Sequence, residues 1–518
     1  MSGIALLLIG AAAAYAVVRW LRLPSTPLLI LAGIGLARWE LLPEEILRDT
    51  LVLGLTFLLF TAGIELNPRR SRAQRRAALQ VGVLQFVLVG ALGTLACLAM
   101  GLDLLTSAYL GLALTASSTF VVVRLLQRRR QLFEPSGRLV SGTLLLQDVL
   151  VILLIPTLIR TPEGISGITV GVLQTLALVA LAYATLRWVT PIVVRLHREE
   201  EVLLMVVLAV LFLFIGLTGM LGLPLAAGAF LAGVAFSPFP MSAVIRGQLS
   251  SVSDFFTAIF FMALGALLTP PSLVVIGQSV VLALLVIVAT PLLVIAVAER
   301  AGFSARPAIE SGLLLSQTSE ISLVVGLQGL VLGQISQDAF NVIALVTVGT
   351  IVLTPFLSSD VVVRVLLGWH PVYGASQPAR DRSGHVLLLG CGAGGMPLLE
   401  TLLATGHEVV VIDDDPEIIE ELRRGDVQCI RGDASDPEVL RSAGADRARL
   451  ISSTIRRPRD NETLLRSRTQ APVLVRVFED DDAEWVRTLG GTPILYSEEA
   501  AQDFATWFRN RPQSEETR

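Results

Sequence analysis

Thirteen apolar stretches, each ended by charge, glycine or proline, occupy the chain up to about residue 358. They run 3–18, 26–37, 50–63, 78–100, 105–123, 139–159, 167–193, 202–218, 222–238, 255–268, 273–298, 308–331 and 339–358. None shows the strict alternation of a half-buried strand, so each predicts a helix. Several are shorter than the ~20 residues that a straight span of a ~30 Å hydrocarbon layer needs. Short or broken helices are expected where a membrane protein builds a site at mid-depth. Beyond residue 380 the pattern changes to short apolar runs separated by charged segments. The pattern therefore predicts a membrane domain over 1–365, a linker over 366–384, a soluble domain over 385–508 and a polar, disordered tail over 509–518.

Composition agrees. Of 518 residues 53% are hydrophobic, and the mean hydropathy of +0.69 is too high for an ordinary soluble protein. All 40 basic residues are arginine, which excludes chemistry that needs a lysine amine. The net charge of −4 is uninformative about partners; the lipid bilayer is expected from the apolar stretches, and no nucleic acid is expected. Cys97, Cys391 and Cys429 have no metal-ligand spacing and imply no disulfide framework. The first stretch lacks a basic leader and reads as an uncleaved helix with its N-terminus outside. With that start, 17 arginines fall in loops facing the cytoplasm and 3 (Arg38, Arg48 and Arg160) in loops facing out. This asymmetry fits thirteen spans and a cytoplasmic C-terminal domain in the plasma (inner) membrane.

Three polar features interrupt the apolar background. Leu114-Thr-Ala-Ser-Ser-Thr119 breaks the fifth stretch and Leu315-Ser-Gln-Thr-Ser-Glu320 the twelfth. Their matching places in two halves predict inverted repeats whose broken helices cross at mid-depth. Hydroxyls of Thr115, Ser117, Ser118, Thr119 and Ser316, the Gln317 amide and freed carbonyls can satisfy the unwound backbone or hold a cation. The third feature is Asp148, far from any arginine in the sixth stretch, and a lone intramembrane acid reads as part of an ion or proton path. The stretch 273–298 offers it no basic counter-ion. Asp148 then pairs with a proton or with a cation, and a hard cation would find oxygen ligands on Asp148, Gln147 and nearby Ser and Thr. One-for-one competition at a single carboxylate gives electroneutral antiport. Glu320, the second intramembrane acid, reads either as a structural tie for its broken helix or as a second proton site.

The C-terminal part opens on His385-Val-Leu-Leu-Leu389, followed by Gly390-Cys-Gly-Ala-Gly-Gly395, a helix, and a strand ending in Asp413. Strand, G-x-G-x-x-G turn, helix and acidic strand end predict a dinucleotide-type α/β fold with six parallel strands. Gly390, Gly392, Gly394 and Gly395 would admit phosphates, and Asp413 would accept ribose hydroxyls, favouring NAD(H), AMP or ATP over NADP. No catalytic acid–base pair accompanies the turn, so a regulatory sensor is expected rather than an enzyme.

Several motifs resemble those of Kef-type potassium:proton antiporters of the second cation:proton antiporter family. They are Gly63-Ile-Glu-Leu-Asn-Pro68, Gln147-Asp148, Ala227-Gly-Ala-Phe-Leu-Ala-Gly233, Phe260-Phe-Met-Ala-Leu-Gly265, Ser316-Gln-Thr-Ser-Glu320 and, in the soluble part, Gly432-Asp-Ala-Ser-Asp-Pro-Glu438. The resemblance implies a sodium/proton-antiporter-like membrane fold and a regulatory RCK (TrkA-N type) domain. It also implies potassium or sodium exchange with protons at Gln147 and Asp148, a homodimer, and nucleotide contacts from Asp433 and Ala434. The arginines in Ser452-Ser-Thr-Ile-Arg-Arg-Pro-Arg-Asp-Asn461 depart from the family pattern. Nothing in the residues licenses glutathione regulation. A nucleotide-regulated cation channel is the rival reading, disfavoured because no T-x-G-x-G-like filter loop occurs in the membrane part. A membrane-anchored NAD enzyme is the third.

Overall fold

The structure, a computed structural model, describes residues 2–21, 25–37, 44–64, 72–129, 131–132, 134–190, 200–237, 241–303, 305–369, 383–392, 394–435, 437–455, 458–466 and 471–495. They form two compact units. One comprises Met1–Leu126, Gly137–Val297 and Ser311–Ser359; the other comprises Gln127–Ser136, Ala298–Glu310 and Asp360–Arg518. The tail over 509–518, most of the linker and the loop Glu65–Pro68 lie outside the described residues.

The first unit is helical. Its helices, of which α6, α7, α12 and α13 also carry residues of the second unit, are α1 (Ser2–Leu21), α2 (Ser25–Ala37), α3 (Glu44–Ile64), α4 (Arg72–Ala99), α5 (Leu104–Ala113), α6 (Thr119–Arg128), α7 (Pro135–Ile159), α8 (Gly164–Ala184), α9 (Glu200–Met220), α10 (Leu225–Ala235), α11 (Met241–Leu267), α12 (Leu273–Arg300), α13 (Ala305–Leu315), α14 (Glu320–Val331) and α15 (Gln337–Leu357). Helices α5 and α6 are the halves of the fifth apolar stretch, and α13 and α14 those of the twelfth. Both predicted breaks are present. Seven described helical stretches are long and apolar enough to cross a membrane, and six shorter apolar helices accompany them. Several helices outrun their apolar pattern. Helix α3 begins at Glu44 rather than 50, α4 at Arg72 rather than 78, and α11 at Met241 rather than 255. Hydropathy marks only the lipid-embedded part, whereas backbone hydrogen bonding continues past it.

Close helix crossings shape this unit. A Cβ on Gly63 of α3 would lie 2.2 Å from the Phe230 carbonyl oxygen, and one on Gly233 of α10 would lie 2.1 Å from that of Phe60. Helices α2 and α11 repeat the device: a Cβ on Gly33 would meet the Met262 oxygen at 2.1 Å, and one on Gly265 the Ile30 oxygen at 2.1 Å. Hydrophobicity does not drive helices together in lipid, so such backbone contact supplies the packing. Around these crossings Phe57 stacks on Phe256 with ring centroids 4.2 Å apart, and Phe60, Phe230, Phe260 and Phe261 are fully buried.

The second unit carries a six-stranded parallel sheet of order β3-β2-β1-β4-β5-β6. The strands are β1 (Val386–Leu389), β2 (Val409–Asp413), β3 (Gln428–Arg431), β4 (Leu450–Ser453), β5 (Val473–Val477) and β6 (Thr492–Leu495). Strands β1 and β2 are buried along their whole length, which is why they read as unbroken apolar runs. Strand order reverses between β1 and β4, and the crevice there is where doubly wound sheets take ligands. The glycine turn leads from β1 into α16 (Met396–Ala404) at this position.

Candidate ion site and nucleotide fold

In the membrane unit the two breaks bond to each other. The Ser117 hydroxyl donates to the Leu315 carbonyl (2.8 Å), and that of Ser118 donates to Glu320 Oε1 (2.7 Å). In return Ser322, on the first turn of α14, donates to the Ala113 carbonyl at the end of α5. Each break therefore satisfies groups that the other leaves without helical partners, as the absence of water in a bilayer core requires. Glu320, 4% exposed, is the acceptor of one of these bonds between the breaks.

Each break also caps its own helices. Thr115 Oγ1 donates to the Leu112 carbonyl and Ser316 Oγ to that of Leu313, both at 2.7 Å. Ser118 Oγ accepts from Val121 N–H, and Ser319 Oγ accepts from Ile321 N–H, the N-cap arrangement. Thr347 and Thr350 of α15 support the second break through Thr318 (3.0 and 3.1 Å).

Asp148 lies on α7, 3% exposed. Its Oδ2 accepts from the Thr119 hydroxyl at 2.7 Å, so the acid reaches the N-terminus of α6, where helix dipoles favour negative charge. Gln147 is committed to the first break: its Oε1 accepts from Ser117 N–H (3.0 Å) and its Nε2 donates to Gln85 of α4. Gln317 is 1% exposed and its Oε1 has no hydrogen-bond partner among the described residues. A buried amide oxygen without a donor costs free energy unless something else satisfies it, and a hard cation would. Sequence reasoning named every polar residue of both breaks except Thr318 and Ser319. It missed Gln85, Ser322, Thr347 and Thr350, which look like ordinary polar residues in apolar helices.

In the second unit, Gly390 has a positive φ of 79°, and a Cβ on Gly395 would lie 2.3 Å from the Gly390 carbonyl oxygen. The turn is closed by Thr454 Oγ1, which donates to that same oxygen at 2.7 Å. Asp413 ends β2 as expected. Its carboxylate accepts from Cys391 N–H in the turn (2.6 Å) and from Asp415 N–H (2.8 Å). Burial nevertheless pushes its pKa up. Burial, reinforced by Asp413, also drives the Cys391 thiol to about 12, which leaves it inert. Gly394 has a role the motif did not suggest. A Cβ there would fall 1.6 Å from Nη1 of Arg476 on β5, so the guanidinium occupies the space of the absent side chain, 4.8 Å from the Phe478 ring centroid.

Asp433, next to buried Ala434, holds a second constellation. Its Oδ1 accepts from the backbone and hydroxyl of Ser435 (both 2.8 Å), and its Oδ2 faces Arg306 Nη1 at 3.0 Å. Arg306 also pairs with Asp460 (3.1 Å) and Glu310 (3.2 Å), and Glu310 accepts from Ser136. Burial pushes Asp433 up, but Arg306 and the Ser435 donors outweigh it and hold the acid below its ordinary value. The ion pair thus persists above the usual carboxylate range and is lost only as pH falls below it. Replacing Arg306 by Met leaves three largely buried carboxylates without their shared cation. The expected loss is about 3 kcal/mol, read by thermal melting, with Arg306→Lys recovering part of it.

Comparison with known proteins agrees with both halves. Residues 4–359 match the family model described as sodium/hydrogen exchanger, transmembrane, and residues 386–496 match the TrkA-N domain. The chain is 27% identical over 447 residues to the glutathione-regulated potassium-efflux system protein KefC of Klebsiella pneumoniae (strain 342), covering 83% of this chain and 71% of that protein. It is 28% identical over 459 residues to the protein of that name from Escherichia coli (strain K12 / MC4100 / BW2952), covering 83% and 72%. Among solved structures, the sodium proton antiporter MjNhaP1 of Methanocaldococcus jannaschii shares its fold over 71% of this chain and 99% of its own, with a TM-score of 0.52 and 14% identity. These matches place the chain among transporters rather than enzymes. Crossed broken helices, a buried acid beside them and a doubly wound C-terminal sheet have one reading: the chain belongs to the sodium/hydrogen exchanger family and carries a TrkA-N domain.

Proposed function

We propose that the protein exchanges a monovalent cation, potassium in preference to sodium, for protons at Asp148, under control of an adenine nucleotide held by the TrkA-N domain. The observation that carries this reading is the position of Asp148: buried, and bonded to Thr119 at the end of the first break, which in turn is bonded to the second. A buried carboxylate needs either a proton or a cation, so the two compete for one charge and cross in opposite directions. Gln317 Oε1 and hydroxyls of the breaks would complete an oxygen shell. The similar KefC proteins support potassium, and MjNhaP1 keeps sodium as the second reading. The proposed orientation has the N-terminus outside and the TrkA-N domain cytoplasmic, and the proposed assembly is a homodimer.

On the nucleotide side, Gly392 and Gly395 would admit phosphates at the α16 N-terminus. Arg476 would add a full positive charge there. Asp413 already accepts two backbone donors, so a ribose would share it. Asp433 is held by Arg306, so a ligand reaching it must share or displace that ion pair. Everted vesicles with a pH dye provide the test. Potassium is expected to collapse an imposed ΔpH at lower concentration than sodium, and NAD(H), AMP or ATP on the exposed face is expected to change the rate. Equal response to both ions would remove potassium from the proposal, and no response to any nucleotide would remove the sensor.

A further inference from the structure

The first break is held by a relay of two side-chain amides from two other helices. Ser117 N–H donates to Gln147 Oε1 at 3.0 Å. Gln147 Nε2 donates to Gln85 Oε1, and Gln85 Nε2 donates to the Thr115 carbonyl at 3.2 Å. The relay starts and ends on the break, two residues apart, and satisfies both a donor and an acceptor that helix interruption frees. Gln85 is 2% exposed and Gln147 is fully buried, so water does not replace either contact. Amides are suited to this because each carries a donor and an acceptor on one planar group. The direction is fixed as well: reversing one amide would set donor against donor at one end and acceptor against acceptor at the other.

We infer that Gln85 is a positioning residue for ion exchange: through Gln147 it holds the Thr115–Ser117 backbone in its open form and so sets the affinity of the cation site. Two neighbouring facts support this. The relay ends one residue before Ser118 and two before Thr119, whose hydroxyls reach Glu320 and Asp148. The Thr115 carbonyl oxygen, within the break, accepts from Gln85 Nε2. Without Gln85 the Gln147 amide loses its acceptor, the Thr115 carbonyl loses its donor, and the Ser117 turn is free to reclose into helix. The inference rests on the exchange reading proposed above.

Full-length protein in proteoliposomes tests it with three chains: wild type, Gln85→Met and Gln85→Glu. Met is close to Gln in length and lacks the amide. The cation KM of Gln85→Met is expected to rise about tenfold, the scale of one buried hydrogen bond, with maximal rate changed less. Gln85→Glu is the conservative rescue. Protonated, it donates and accepts as the amide does; ionised, it only accepts. Its KM is therefore expected to approach the wild-type value at acid pH and to diverge from it at alkaline pH. A merely space-filling role predicts wild-type KM for Gln85→Met, and a Gln85→Glu KM that keeps its ratio to wild type across the pH range in which infrared spectra show the new carboxyl ionising; either result overturns the inference. Should Gln85→Met not fold, the second result alone overturns it. Absence of cation-dependent exchange in wild type would instead sink the exchange reading.

Discussion

Asp148→Asn is expected to abolish cation/proton exchange in proteoliposomes, down to the background of protein-free vesicles. Asparagine preserves shape and can still accept from the Thr119 hydroxyl, so the contact at 2.7 Å is retained. What it cannot do is change charge. A neutral amide neither holds a titrating proton nor offers a negative charge to a dehydrating cation. Elution of the purified variant as a single symmetric species, with unchanged melting, would show that folding is not the cause. Retained exchange at wild-type rate would remove Asp148 as the contested site. Glu320→Gln is the informative companion, since an amide can still accept from Ser118; survival of exchange there would mark Glu320 as a tie rather than a second proton site.

Gly233→Val carries the second large effect, on folding rather than transport. A Cβ at this position lies 2.1 Å from the Phe60 carbonyl oxygen, 3.0 Å from Gly63 Cα and 3.0 Å from Ile64 N. All three are backbone atoms, so no side chain can turn aside, and α3 and α10 must separate. Overpacking of this kind belongs to the extreme tail of substitution effects, ~4 kcal/mol or more. Most of the protein is expected to aggregate on detergent extraction. Gly277→Ala on α12 is the matched control, because nothing lies within 4 Å of its Cβ position; it should change stability by no more than about 0.5 kcal/mol. A Gly233→Val chain that extracts and melts like wild type would refute the packing argument.

These two sites show what the residues disclose and what they withhold. Asp148 is legible because a charge inside 139–159 violates the surrounding pattern. Both breaks are legible for the same reason, and the glycine turn with Asp413 because backbone geometry demands glycine at Gly390. The crossing glycines Gly63, Gly233 and Gly265 stand in recognisable motifs, yet composition alone cannot say that each faces a carbonyl on another helix. Gln85, Arg306 and Arg476 were illegible: each acts on a group distant in sequence, Gln85 on Thr115 across 30 residues and Arg306 on Asp433 across 127. Local patterning carries no record of such pairs. Charge marks the ends of α2 at Ala37 and α7 at Ile159, but not the starts of α3, α4 and α11, which run through charged turns.

The mutual bonding of the two breaks has a consequence for biogenesis. Ser118 and Glu320 are 202 residues apart, and Ser117 and Leu315 are 198. During synthesis α5 and α6 enter the bilayer long before α13 and α14 exist, with an unwound segment whose polar groups have no later partner yet and no water. The amide relay from α4 and α7 can form early, because all its members precede residue 150; it would act as an internal chaperone for the first break. The contacts to Leu315 and Glu320 close last. A translation product truncated before residue 315 should therefore be recognised as incomplete by membrane quality control, however well its individual helices insert.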